Sequence, residues 1–237
     1  MDTKRKMGGL IILTAIFSVS FNACNKLSSD EISSNELTVL EVKTEGASTL
    51  VEPSLKLLMN DEMEVTATDE ELLFYMVEEE KLARDVYYFF YDQWEAAVFS
   101  KIANAEHNHF RAILTLIETN SQLEYIEGAP GEFQNDEFLN LYAELTADGA
   151  QSLEQALQVG ALIEEMDIID LQQALKETTN ENIILVFENL LAASRNHLRA
   201  FNNNLSALGI SYIPQRLDEE TFNEIISSPM EQGKRYK

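Results

Sequence analysis

The sequence holds a single cysteine, and one thiol can close no intramolecular disulfide and build no thiolate metal cluster. Glycine and proline are scarce as well, at 9 and 4 residues in 237, while leucine, alanine and glutamate recur throughout. That balance disfavours a turn-rich β architecture and favours helices. Basic residues are the third shortage: 17 Lys and Arg stand against 41 Asp and Glu, a formal charge of −24. Such a surface repels nucleic acid and anionic headgroups, so no nucleic-acid partner is expected. What is present suffices for a core, since 45% of the residues are hydrophobic, and the length fits one medium domain with extensions.

Long apolar runs are confined to the N-terminus. Lys4, Arg5 and Lys6 precede an apolar stretch from Met7 to Phe21, which is too short for a comfortable membrane span. Its charged start and apolar middle are those of a secretory signal, read here as residues 1–23. Phe21-Asn22-Ala23-Cys24 resembles a relaxed bacterial lipobox, in which the cysteine becomes the lipidated first residue of the mature protein. Phe21, where an aliphatic residue is usual, and Asn22 depart from that motif. The resemblance implies export across the inner membrane and a lipid anchor at Cys24 holding the protein to a membrane of the cell envelope. The plainer alternative is an ordinary secretory signal with an incidental cysteine. Residues 24–67, rich in Ser, Glu, Thr and Asn without a sustained period, read as a flexible tether. Leu37 to Val42 has the composition of a strand, but a lone strand has nothing to pair with.

From Thr68 onward, apolar residues recur at helical spacing. A first helix, capped by Thr68 or Asp69, is expected to run to about Trp94, with Leu73, Met76, Glu80, Ala83, Tyr87, Phe90 and Trp94 on its inward stripe. Glu78, Glu79 and Glu80 are consecutive, so two must point elsewhere; the pattern favours Glu80, with Glu79 also near the stripe. A second helix from Ala97 to Thr119 carries Glu106 and His109 beside Ile102, Phe110 and Ile113, while His107 turns off the stripe. The short link between the two predicts an antiparallel hairpin. Gly128, Pro130 and Gly131 break the pattern, and Asn135 to Thr146 reads as a crossover helix.

Ser152 can cap a third core helix from Leu153 to Lys176, in which Glu164 interrupts an apolar row, Glu165 turns away and Asp167 is placed to assist. Thr179 or Asn180 caps a fourth, running to Leu208 with Gly209 as its stop and carrying Ser194 and His197 inward. The bundle domain is thus read as 68–215, with a tail over 216–237 that contains a weak helix near Glu219 to Ile226. The fold class expected is all-α, a four-helix bundle with a helical crossover between the second and third core helices.

The inward polar set is then Glu80, Glu106, His109, Glu164 and His197. Taken singly, a glutamate in an apolar stripe is usually a boundary residue and a histidine usually a hydrogen-bonded core residue. Together they point to a cation, because burying three carboxylates without one is costly. Mixed oxygen and nitrogen ligands suit iron or manganese, as one ion or two, better than zinc. Ser194 stands where a fourth-helix carboxylate would complete a paired site, leaving a position for Ser194 itself, water, Asp167 or an outside anion. Tyr87 is either a core tyrosine or a partner to a ligating carboxylate. Arg195 and Arg199 neutralise acidic neighbours, and the other acidic residues read as a solvated surface. A metal-free bundle with mutually bonded polar residues is the third reading.

Four stretches add a resemblance: Glu80-Lys-Leu-Ala-Arg-Asp-Val-Tyr87, Glu106-His-Asn-His109, Val159-Gly-Ala-Leu-Ile-Glu-Glu-Met-Asp-Ile168 and Ser194-Arg-Asn-His-Leu-Arg-Ala-Phe201. In that order they resemble the bacterial family called domain of unknown function 2202, of the ferritin-like superfamily, over roughly residues 68 to 215. Glu80 with Tyr87 resembles the Glu-x6-Tyr of bacterioferritin and rubrerythrin first helices, and Glu106 with His109 matches their Glu-x-x-His; Ser194 departs from their pattern. The resemblance implies a ferritin-like fold with a metal site, and the family carries no assigned reaction. The leading expectation is a non-haem iron or manganese site that reacts with peroxide or oxygen at the cell envelope, in which Tyr87 orients a ligand or intercepts a radical. With no cysteine cluster to deliver electrons, a separate reductant is required. The alternative is a non-enzymatic envelope module for metal binding or protein interaction, and a homodimer is an admissible assembly.

Overall fold

Five of the six helices begin where a side chain takes up a free backbone N–H group; the helix after Ala96 has no such cap. In the computed structural model, which describes residues 37–38, 40–42, 48–51, 64–120, 122–233 and 235–236, six helices follow in order: α1 Ala67–Trp94, α2 Ala97–Thr119, α3 Asp136–Gly149, α4 Leu153–Glu177, α5 Glu181–Ala207 and α6 Glu219–Ser227. Ser152 caps α4 and Asn180 caps α5, as their sequence context predicts. The cap of α1 is Thr66, earlier than expected. Thr66 and Asp69 bond reciprocally in a capping box, and the Thr178 hydroxyl donates to Asp69 Oδ1 at 2.5 Å, tying the start of α1 to the α4–α5 turn.

The chain packs as antiparallel helix pairs in an all-α bundle. α1 and α2 are joined only by Glu95 and Ala96, with Glu95 in the left-handed region at φ 52°. α4 and α5 form the second pair across Thr178 to Asn180. The crossover helix α3 lies on α1 and α4. Two glycines permit the close approaches. A Cβ on Gly149 would fall 2.1 Å from the Phe90 ring, and one on Gly160 would fall 2.5 Å from the Phe201 ring.

Two apolar clusters share the interior. Tyr87, Phe90, Phe99 and Phe201 belong to one; Leu73, Met76, Phe110 and Phe187 belong to the other. On α1, Glu80 falls between Met76 of one cluster and Tyr87 of the other, and on α5 His197 falls between Phe187 and Phe201. The polar layer is therefore enclosed by hydrocarbon at both ends, where its charges are least screened.

The expectation that the strand near Leu37 has no partner is corrected. β2, Leu40–Val42, pairs antiparallel with β3, Ser48–Leu50, in the register Leu40 to Leu50, while β1, Leu37–Thr38, pairs with β4, Arg235–Tyr236. Leu40 is buried in the cluster of Phe110 and Phe187, so this part of the segment read as a tether is seated on the bundle. The apolar alternation supplied the strand; a groove on the bundle and a second short strand, neither visible in the local pattern, supplied its setting. The signal peptide and Cys24 lie outside the described residues. Among those described, no helix is long and apolar enough to cross a membrane.

Candidate metal centre

α1, α2, α4 and α5 each send at least one polar side chain into the layer between the apolar clusters. Glu80 comes from α1, Glu106 and His109 from α2, Glu164 from α4 and His197 from α5, and each is at most 2% exposed. All five residues singled out by their spacing converge. His109 Nδ1 lies 2.6 Å from Glu106 Oε2 and 3.2 Å from Glu80 Oε2. His197 Nδ1 lies 2.8 Å from Glu106 Oε1 and 3.3 Å from Glu164 Oε2. The two rings stack, with centroids 5.4 Å apart and planes at 15°.

Glu106 is thus the shared member of two buried groups able to hold a metal ion, Glu80–Glu106–His109 and Glu106–Glu164–His197, each offering ligand atoms within 4.8 Å of one another. One carboxylate oxygen faces each histidine. The arrangement follows from α2, where residues three apart share a face, so Glu106 and His109 approach the layer together.

The groups around the centre fix its orientation. The Tyr87 hydroxyl donates to Glu164 Oε1 at 2.5 Å and lies 3.3 Å from the Gly160 carbonyl, so Tyr87 is the partner of a centre carboxylate and no ordinary core residue. His109 Nε2 lies 2.9 Å from the Ser48 hydroxyl, which in turn faces the Ala105 carbonyl at 3.5 Å. With Nε2–H donating to Ser48, the imidazole is held with Nδ1 toward the carboxylates. Asp167 accepts from the Ser194 hydroxyl, which also lies 2.8 Å from the Leu190 carbonyl. Ser194 therefore does not replace the expected fourth-helix carboxylate in kind; it holds one from α4.

Electrostatics mark the layer as short of positive charge. Burial disfavours charge on His109, yet the Glu106 and Glu80 carboxylates hold it up to about 10. His197 is likewise raised well above the imidazole range by Glu106 and Glu164 against its burial. Glu106, between the two rings, stays well below the carboxylate range in spite of burial. Burial pushes Glu80 up to about 8, with His109 only partly opposing it, and also raises Glu164, Asp167 and Glu79. Glu80 Oε1 and Asp167 Oδ1 are buried with no hydrogen-bond partner among the described residues. Carboxyl oxygens left over and nitrogen ligands already oriented together fit a hard or borderline cation, and neither ligand group contains a thiolate.

Sequence reasoning missed three things here. Ser48 reaches His109 from a segment read as tether, and nothing in its local pattern singles it out. Two of the three consecutive acids were expected to point elsewhere, yet Glu79, read as near the stripe, is buried at 4% exposure together with Glu80. Glu78, Asp85 and Glu165, which pattern assigned to the surface, are buried too, each satisfied by protein donors. Glu165 accepts from the Tyr212 hydroxyl and from the backbone N–H groups of Gln215, Arg216 and Leu217. His107 is exposed, as expected. Arg195 and Arg199 both bind Glu231, and Arg199 also donates to the Ile225 carbonyl at 2.8 Å, fastening the C-terminal segment to α5.

A helical bundle with a buried carboxylate and imidazole centre is the class that this fold and these groups define. Within that class the chain belongs to the DUF2202 family, an uncharacterized protein domain whose model matches residues 69–229. It is similar to the uncharacterized protein MJ0754 of Methanocaldococcus jannaschii, at 42% identity over 170 residues covering 71% of this chain and 92% of the relative. The crystal structure of that hypothetical protein aligns with a TM-score of 0.69 and 41% identity, over 72% of this chain and 98% of the other.

Proposed function

We propose that the protein is a ferritin-like, envelope-tethered metalloprotein whose centre binds iron or manganese and consumes peroxide or oxygen. The observation that carries this reading is Glu106, whose two oxygens face two histidines and belong to both ligand groups. Glu80, Glu106 and His109 would hold one ion and Glu106, Glu164 and His197 a second, with Glu106 shared. Iron or manganese held there would supply one-electron redox chemistry toward an oxidant.

The chain's own residues set the conditions for that chemistry. Tyr87 fixes Glu164 through Oε1, leaving Oε2 toward His197. Ser48 takes the outer N–H of His109 and so holds the ring on the centre. The apolar clusters exclude bulk water from the layer. Asp167 Oδ1, buried and unsatisfied, supplies a spare acceptor for a proton or a water beside the centre. Electrons must come from a separate reductant, because the single cysteine builds no redox cluster of its own.

Elemental analysis of the full-length chain, purified without chelator and after anaerobic loading, tests the reading. Near-stoichiometric iron or manganese is expected, lost in a Glu106→Ala, His109→Ala double variant, with peroxide or oxygen consumed once a reductant is added. A folded parent that stays empty under loading overturns the metal reading. One observation favours a second reading, a binding module without turnover: the fourth-helix position that would complete a paired site is Ser194, already engaged with Asp167. A loaded protein that consumes neither oxidant would decide for that reading. The membrane tether is tested separately, by palmitate labelling that is lost in Cys24→Ala.

A further inference from the structure

A surface cavity of about 540 Å³ opens between α1, α3 and α4, with Glu79, Glu137, Glu144 and Asp170 among its lining residues and Arg216 at its margin. Four carboxylates face one guanidinium there. Glu79 is the inner wall: it is 4% exposed, and its Oε2 has no hydrogen-bond partner among the described residues. Tyr75 donates to Asp170 Oδ2 at 3.2 Å, holding this half-buried acid of α4 in place.

Along α4 the acids Glu164, Asp167 and Asp170 recur every third residue, so they lie on one face a turn apart, from the centre to the cavity. Glu79 stands across from them on α1, its carboxyl at hydrogen-bonding range of Asp170's and within electrostatic reach of Asp167, and Asp167 is within reach of Glu80, Glu164 and Glu106. Asp167 Oδ1 is the second unsatisfied oxygen on this line. Glu165, a structural carboxylate buried on the same helix, is saturated by protein donors, whereas these two neighbouring carboxyls keep spare oxygens that only a proton or a visiting cation can fill.

We infer that the cavity and the row Asp170, Glu79 and Asp167 form a loading route by which a divalent cation passes from solvent to the buried centre. The inference rests on the metal reading above. Glu137, Glu144 and Asp170 concentrate hydrated cations in the cavity; Asp170 and then Glu79 exchange water for carboxylate oxygen; Asp167, steadied by Ser194, hands the ion to the layer of Glu80 and Glu164.

The test is stopped-flow uptake of Co2+, followed by its visible absorption, into the full-length metal-free protein. Asp170→Asn, at a half-buried position, and the isosteric Glu79→Gln are each expected to slow uptake about tenfold while leaving the final amount bound unchanged, since charged clefts change on-rates by this order. Glu124→Gln, exposed and away from the cavity, should load at the parental rate. The parental rate should also fall with ionic strength more steeply than that of Asp170→Asn. Equal rates in parent and both variants would overturn the route and leave the centre standing. Loss of bound Co2+ at equilibrium in Glu79→Gln would make Glu79 a resident ligand and overturn its role in transfer. A parent that takes up no Co2+ at all would remove the centre, and the route with it.

Discussion

Glu164 and Glu165 are neighbours on one helix, are equally buried, and are satisfied in opposite ways. Glu165 faces the C-terminal segment and collects donors that cannot titrate in the physiological range: three backbone N–H groups and the Tyr212 hydroxyl. Glu164 faces the layer and has Tyr87 and an imidazole whose own charge depends on its surroundings. The same division holds on α1. Glu78 accepts from Tyr125 and from the N–H groups of Gln134 and Asn135, whereas Glu80 keeps an oxygen without a partner. Burial alone therefore separates nothing. Fixed dipoles aimed at a carboxylate make it part of the scaffold, and titratable partners with spare valence make it part of a site.

Removing one acid of each kind breaks the comparison most directly. Glu106→Ala is expected to abolish metal binding, since it removes a ligand from both groups at once; elemental analysis reads this. Glu165→Ala should leave metal content intact and lower stability by about 3 kcal/mol in urea unfolding, because it strands donors that were bonded to a charge. Ser48→Ala, which frees the outer nitrogen of His109 without touching a ligand, should weaken metal affinity about tenfold in chelator competition. It should leave the helical content unchanged by circular dichroism.

The smallest effect is one of pH, and its sign differs between the two kinds of acid. Glu80, raised from 4.5 to about 8, is protonated in the folded metal-free protein while the unfolded chain has already lost its proton, so stability falls as pH rises between those values. His109, raised from 6.5 to about 10, contributes stability that is complete below 6.5 and is lost as pH rises through 10. Asp69, lowered below 3.8 by its bonds to Thr178 and Thr66 in spite of burial, contributes stability above 3.8 that is lost as pH falls through its folded value. The metal-free protein should thus lose thermal stability from mildly acidic to alkaline pH, whereas an Asp69→Asn variant should differ from its parent chiefly above pH 4. Bound metal displaces the protons of the layer, so metal affinity should rise with pH in the same titration.

How far the sequence disclosed all this follows from what periodicity measures. Caps at Ser152 and Asn180 and the bounds of α2 are local, and were legible locally. The five polar residues of the layer each interrupt an apolar row, and that signal led straight to their convergence. Periodicity assumes that a helix has one buried face. α1 breaks the assumption: every residue from Met76 to Tyr87 is buried, because α2, α3, α4 and the stretch before α3 cover it on all sides. Glu78, Lys81, Arg84 and Asp85 were for that reason assigned to solvent or left unread. Ser48 was illegible for another reason, being a lone hydroxyl brought 61 residues along the chain to its partner.

The enclosure of α1 also bears on how much change the helix can absorb. An ordinary bundle helix has a solvent face on which most replacements are silent. Between Met76 and Tyr87 there is none: Lys81 is spent on Asp85 and the Ala129 carbonyl, Arg84 on Asp85 and Glu127, Glu78 on the loop that leads into α3, and the apolar positions on the core. A saturation library over this helix would find its survivors at the exposed positions before Met76 and after Tyr87, and between those two residues almost only the residue already there.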